Sequence, residues 1–219
     1  MPTTLATLAA SHPHPTSTMR PISRVMIAIA ALALLVLLFV PIWRIDLTAP
    51  QYPEGLSMQI WADHFSGDVE KINGLNHYIG MAHIKDDMFA EFTYLPKVIM
   101  ALSALGLFAA LWRRRIFLVG GLVALSLFSL WALWRMWDWG YKYGHELDPR
   151  AAIKVEDMAY QPPLIGHKQL LNFDAWSTPD TGGWVLFAVI GLLAGVYFLE
   201  VRDLRAKLKA KRALASAKP

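Results

Sequence analysis

The chain has 219 residues, of which 55% are hydrophobic and only 17% charged. Soluble domains carry about 25% charged residues, so with a mean hydropathy of +0.35 this composition excludes an ordinary soluble domain. The absence of cysteine removes disulfides, thiolate metal sites, iron–sulfur clusters, c-type haem attachment and cysteine nucleophiles together.

Residues 1–24 form a Pro-, Ser- and Thr-rich leader containing His12 and His14, a composition expected to stay disordered. Four apolar runs follow, each close to the roughly 20 residues that cross about 30 Å of hydrocarbon. They are 25–43, 95–112, 116–136 and 182–199. The first follows Arg20 and Arg24 and resembles a signal-peptide core, but it is long and ends in Pro41, Trp43 and Arg44 without a small-residue cleavage site, so it reads as an uncleaved anchor. Runs two and three are separated only by Arg113, Arg114 and Arg115, which makes them antiparallel neighbours joined by a turn too charged to enter lipid. The fourth run contains Gly191 and Gly195, a GxxxG spacing that permits close helix contact.

Charge orients these spans. The leader, the arginine turn and the tail (200–219) hold twelve cations against two acids, Glu200 and Asp203, whereas the rest of the chain holds nine cations against fifteen acids. That split, +10 against −6, predicts a multi-pass membrane protein with both termini in the cytoplasm. The basic tail reads as a topology signal against anionic lipid rather than a nucleic-acid site.

The segments 44–94 and 137–181 are therefore extracytoplasmic. Loops of this length are rarely mere connectors, and they are expected to pack into one cap. The expected fold is an all-α integral membrane protein, a four-helix transmembrane bundle with an extracytoplasmic cap formed by the two long loops. Five of the seven histidines, His64, His77, His83, His145 and His167, fall in the cap, together with Met58, Met81, Met88 and Met158.

Within the first loop, residues 68–88 have the polarity of a short interfacial helix, in which Asn73, His77 and Met81 would share a face. An imidazole with a thioether suits copper, since soft sulfur favours Cu(I) and imidazole accepts either oxidation state. A packing methionine beside a hydrogen-bonded interfacial histidine explains the same spacing. The second loop opens with an aromatic belt, Trp131 to Tyr143, in which Arg135 and Asp138 stand at ion-pair spacing. Gly140 and Gly144 then frame the approach to His145 and permit close backbone packing. Pro162 to Gly166 is a stiff extended entry to His167, and Pro179, Asp180 and Thr181 read as the cap of the last span.

Three stretches, NGLNHYIGM (73–81), WDWGYKYGHELDP (137–149) and PPLIGHKQLLNF (162–173), resemble an uncharacterised family of bacterial four-span membrane proteins often encoded beside nitrous-oxide reductase accessory genes. The resemblance covers 59–184 and supplies no catalytic residue. It implies periplasmic copper handling, or electron supply to a copper enzyme. The expected function is thus a membrane accessory protein that holds copper through His77, Met81, His145 and His167, with His83, His64 and Met158 as further candidates. Its expected partners are the bilayer and a periplasmic copper protein or membrane complex. A metal-free docking subunit or assembly factor is the alternative. A haem or quinol redox protein is a third, weakened for haem because the spans contain no histidine. Catalysis has little support, because the carboxylates and histidines form no recognisable constellation.

Overall fold

The computed structural model describes residues 18–153, 160–170 and 172–216. Four helices in it are long and apolar enough to cross a membrane. Helix α1 (Pro21–Leu34) starts on a proline at its first turn and runs into a 3-10 turn (Leu35–Leu38). Helices α3 (Glu91–Trp112) and α4 (Arg115–His145) form the arginine-turn hairpin, with Arg113 in the left-handed region at φ 65°. Helix α5 (Thr181–Ser216) is continuous for 36 residues, about 54 Å at 1.5 Å per residue, so its basic end extends past any hydrocarbon layer. Asp180 caps it, accepting at Oδ1 from the Thr181 N–H at 2.6 Å.

Small residues set the closeness of the bundle. Ala30, Ala31, Ala109 and Ala110 are buried between helices, a Cβ on Gly106 would lie 2.8 Å from that of Ala31, and Ser103 donates to the Ala31 carbonyl at 2.7 Å. Without a hydrophobic drive between helices in lipid, such packing and hydrogen bonding hold them together. Gly191 and Gly195 take no part, since a Cβ at either would meet nothing within 4 Å.

The all-α expectation is wrong. The outer segments contribute a five-stranded antiparallel sheet in the order β3-β2-β1-β5-β4, built from β1 (Trp43–Ala49), β2 (Tyr52–Ile60), β3 (Phe65–Gly67), β4 (Gly166–Leu170) and β5 (Phe173–Pro179). The protein is therefore a mixed α and β structure. The cause is a two-residue alternation: Trp43, Ile45 and Leu47 face one way while Arg44, Asp46 and Thr48 face the other. Strand β1 pairs Ile45 with Met58 of β2 and with Ser177 of β5, so the two outer segments share one sheet.

The inner face of that sheet packs on helix α2 (Val69–Ile79) and the outer end of α4, through Ile45, Leu56, Met58, Ile72, Ile84 and Tyr143. Its centre is fixed to the membrane part, because β1 follows the first span and β5 runs straight into α5. Gly183 lets this junction close, since a Cβ there would lie 2.6 Å from the Ile42 carbonyl oxygen.

The aromatic outer end of α4 keeps its charges paired. Arg135 bonds Glu91 at 2.6 Å and Asp138 at 2.9 Å. Beyond them, Gly144 lies against the backbone of 160–161, where a Cβ would come within 2.3 Å of Gln161 N, while the Tyr160 N–H donates to the Gly144 carbonyl at 2.9 Å. Backbone cannot yield as a side-chain tip can. Gly144→Ala is expected to cost about 3 kcal/mol or more, to lower the melting temperature in detergent, and to open the chain near Gln161 to limited proteolysis. An unchanged melt and digestion pattern would show that the contact is loose.

Candidate functional site

The site is organised by the end of α2. This helix buries Ile72, Asn73, Asn76 and Ile79, one face at helical spacing, and leaves His77 exposed. Asp68 anchors its start: Oδ1 accepts from the Lys71 ammonium at 2.8 Å and Oδ2 from the Ser57 N–H at 3.1 Å. The Lys71 bond first, and the Ser57 bond next, hold the Asp68 carboxyl below the ordinary aspartate range. The helix ends at Gly80, with φ 81°, and the Met81 N–H returns to the Asn76 carbonyl at 2.9 Å, a left-handed C-terminal cap. The expected His77 and Met81 helical face is therefore interrupted.

The second outer segment packs on this turn. Asp148 N–H donates to the Gly80 carbonyl at 2.8 Å and Ile153 N–H to that of Tyr78 at 2.9 Å. A Cβ on Gly80 would approach the Asp148 oxygen and the Ala151 methyl to 2.9 Å, so glycine is required by space as well as by φ. An open cleft of about 730 Å³ results, bordered by His77, Met81 and His83 on one side and by Glu146, Asp148 and Arg150 on the other.

The five outer histidines divide into two kinds. Three have a ring nitrogen already engaged: His64 Nδ1 with Asp63 at 2.6 Å, His145 Nδ1 with the Tyr141 carbonyl at 2.8 Å, and His167 Nε2 with Asp174 at 2.8 Å. Each also lies against an aromatic ring, Trp61, Tyr141 and Trp176 respectively. His77 and His83 have no hydrogen-bond partner among the described residues, and their ring centres lie 6.3 Å apart. The structure thus gathers His77, Met81 and His83 in one cleft. His145 stacks on α4 and does not border it, and His167 lies on edge strand β4. Met158, like His12 and His14, lies outside the described residues.

Asn73 and Tyr143, which the sequence places only on a helix face and in an aromatic belt, hold the cleft in shape. The Asn73 amide, 2% exposed, donates to the Ile84 carbonyl at 3.0 Å and accepts from the Ile84 N–H at 2.7 Å. The Tyr143 hydroxyl donates to the His83 carbonyl at 2.5 Å, and its ring packs into the core of the cap. A polar Asn at a buried position of an amphipathic helix was the available signal for the first. Nothing local marked the second.

No set of three His, Cys, Asp or Glu side chains is grouped to hold a metal ion among the described residues. Fold and cleft together define a multi-pass membrane-helix protein with a sheet-and-helix cap on one end. Comparison with family models, curated proteins and solved structures finds no match to this chain.

Proposed function

We propose that the protein is an inner-membrane accessory factor whose periplasmic cap holds Cu(I) for a periplasmic copper enzyme, with both termini in the cytoplasm. The observation that carries this reading is the pair of imidazoles, His77 and His83, that have no hydrogen-bond partner among the described residues, with the Met81 thioether in the same cleft. Two imidazoles sharing one ion at nitrogen distances of about 2 Å have ring centres roughly 5–6 Å apart, close to the 6.3 Å observed. A His–His–Met set suits a soft monovalent ion and offers little to magnesium or calcium, which prefer oxygen. The residues that would hold copper are thus His77, His83 and Met81, in place of the wider set with His145 and His167. The cleft is open, which suits an ion that is passed on. The identity of the recipient, a copper enzyme of the nitrous-oxide reductase kind, rests on the sequence resemblance alone. The charge split along the chain supports the orientation.

A metal-free docking module is the second reading. It is favoured by the outer face of the sheet, where Trp176 is 50% exposed beside the Arg44–Asp46 pair. Metal content separates the two. The detergent-purified chain, loaded with Cu(I) and then challenged with a Cu(I) chelator, is expected to keep about one copper. His77→Ala and His83→Ala should each lose most of it, Met81→Ala less, and His145→Ala and His167→Ala little. A wild type that surrenders all its copper to the chelator as readily as the His77 variant removes the copper reading and leaves docking.

A further inference from the structure

The cleft is far larger than an ion requires. At about 730 Å³ it falls within the range of sites for whole small molecules, roughly 300–1,000 Å³, whereas a metal ion stands only about 2.0–2.3 Å from each of its donors.

Its two walls also differ in chemistry. The end of α2 and the turn after it present the soft donors, exposed His77 and His83 and half-buried Met81, with Tyr78 beside them. The chain that follows α4 presents Glu146, Asp148 and Arg150, all exposed. These are hard oxygen acceptors and a cation, none of which suits Cu(I). The Arg150 side chain is 89% exposed although its Nε bonds Asp148 at 3.3 Å, so its guanidinium is open to a ligand. Soft donors on one wall only leave the far side of a bound ion uncovered.

A ligand that satisfies both walls carries a soft donor and, close beside it, hydrogen-bonding groups of its own. An extended polypeptide does so at every methionine or histidine. Its side chain reaches the ion while its backbone N–H groups meet Glu146 and its carbonyls meet Arg150.

We propose, as an extension that rests on the copper reading, that the cleft receives an extended methionine- or histidine-bearing segment of the recipient protein, and that copper leaves by ligand exchange onto it. The incoming sulfur or nitrogen donates a lone pair to Cu(I) from the uncovered side. The bond to one cleft histidine then breaks, and that imidazole keeps its electron pair. Copper remains Cu(I), so no oxidant or reductant takes part.

The test uses the full chain in nanodiscs, loaded with Cu(I) and titrated with a dye-labelled synthetic peptide that carries methionines in an otherwise glycine and serine sequence. Fluorescence anisotropy should show saturable binding. Stripping the copper should weaken it at least about tenfold, because only the polar wall remains. Arg150→Ala removes the donors of that wall, and Ala152→Trp fills the cleft from the same side. Both positions are exposed, and both variants should keep their copper yet bind the peptide roughly tenfold more weakly. A wild type that keeps copper but binds no peptide, peptide binding that ignores the copper, or either variant binding as the wild type does overturns the proposal and leaves the copper reading standing. A wild type that keeps no copper removes both.

Discussion

Glu200→Ala is expected to cost the membrane bundle about 3–5 kcal/mol, the usual consequence of removing one partner from a buried ion pair. Glu200 is 1% exposed and lies at the end of the bundle opposite the cap. Its Oε1 accepts from the Arg20 backbone N–H at 3.1 Å, the Arg20 Nε at 3.3 Å and the Ser23 hydroxyl at 2.5 Å, while Oε2 accepts from the Arg115 Nε at 2.7 Å. One carboxylate thereby ties the starts of α1 and α4 to α5. Arg115 keeps a second bond, to Asp203 at 2.9 Å, so alanine would not free it altogether. It would, however, leave the Ser23 hydroxyl and the Arg20 guanidinium facing a hole. Glu200→Gln should cost less, because the amide keeps the size and one acceptor oxygen. Unfolding in mixed micelles would read both, and an alanine variant within about 0.5 kcal/mol of wild type, the ordinary scatter of a surface substitution, would show that the cluster adds no net stability.

Glu200 also shows what could be read in the sequence. Both acids on the cation-rich side were visible as exceptions to a strong charge bias, and both prove to be ion-paired, Asp203 with Arg115 and Lys207. Their partners could not be named, because contacts between Arg20 or Arg115 and Glu200 depend on how four helices are arranged, not on local spacing. The apolar runs were legible because a bilayer demands about 20 such residues in a row. The Arg135 and Asp138 pair was legible as helical spacing, and the close approach at Gly144 as a demand for small residues. The sheet was missed although its signal was present. Trp43–Ala49 alternates with period two but is only 7 residues long and abuts a far stronger apolar run, while Phe173–Pro179 hides its alternation, because Ser177 is buried and Trp176 exposed. Joining the two required β1 to pair with β5 across more than a hundred residues, which no local pattern specifies. For the cleft, His77 and Met81 were legible as a potential ligand pair. His83 was legible only as a further candidate, two residues beyond Met81, and it comes beside His77 because Gly80 ends α2. His145 and His167 looked equivalent to His77 in sequence, and only their contacts with Tyr141 and Asp174 distinguish them.

Asn73→Leu is expected to disrupt the cap and, with it, the cleft. The Asn73 amide makes two opposed bonds to Ile84, donating to its carbonyl and accepting from its N–H, as a neighbouring strand would. Leucine matches the volume but supplies neither bond, so two buried backbone groups lose their partners at about 1–3 kcal/mol each. A total of about 2–6 kcal/mol follows, a large part of the stability of a typical domain. Asn73→Asp is the sharper variant. A carboxylate keeps the acceptor for the Ile84 N–H but turns an oxygen toward the Ile84 carbonyl and buries a charge, so it should also be strongly destabilising despite its nearly identical shape. Both substitutions act next to His83, whose carbonyl takes the Tyr143 hydroxyl, so detaching 82–84 would carry one imidazole away from the other. Backbone hydrogen exchange at Ile84, measured on the full chain in nanodiscs, should rise sharply in both variants while the amides of α3 and α5 in the membrane remain protected. Slow exchange at Ile84 in Asn73→Leu would mean that sheet and helix packing hold the segment without the amide.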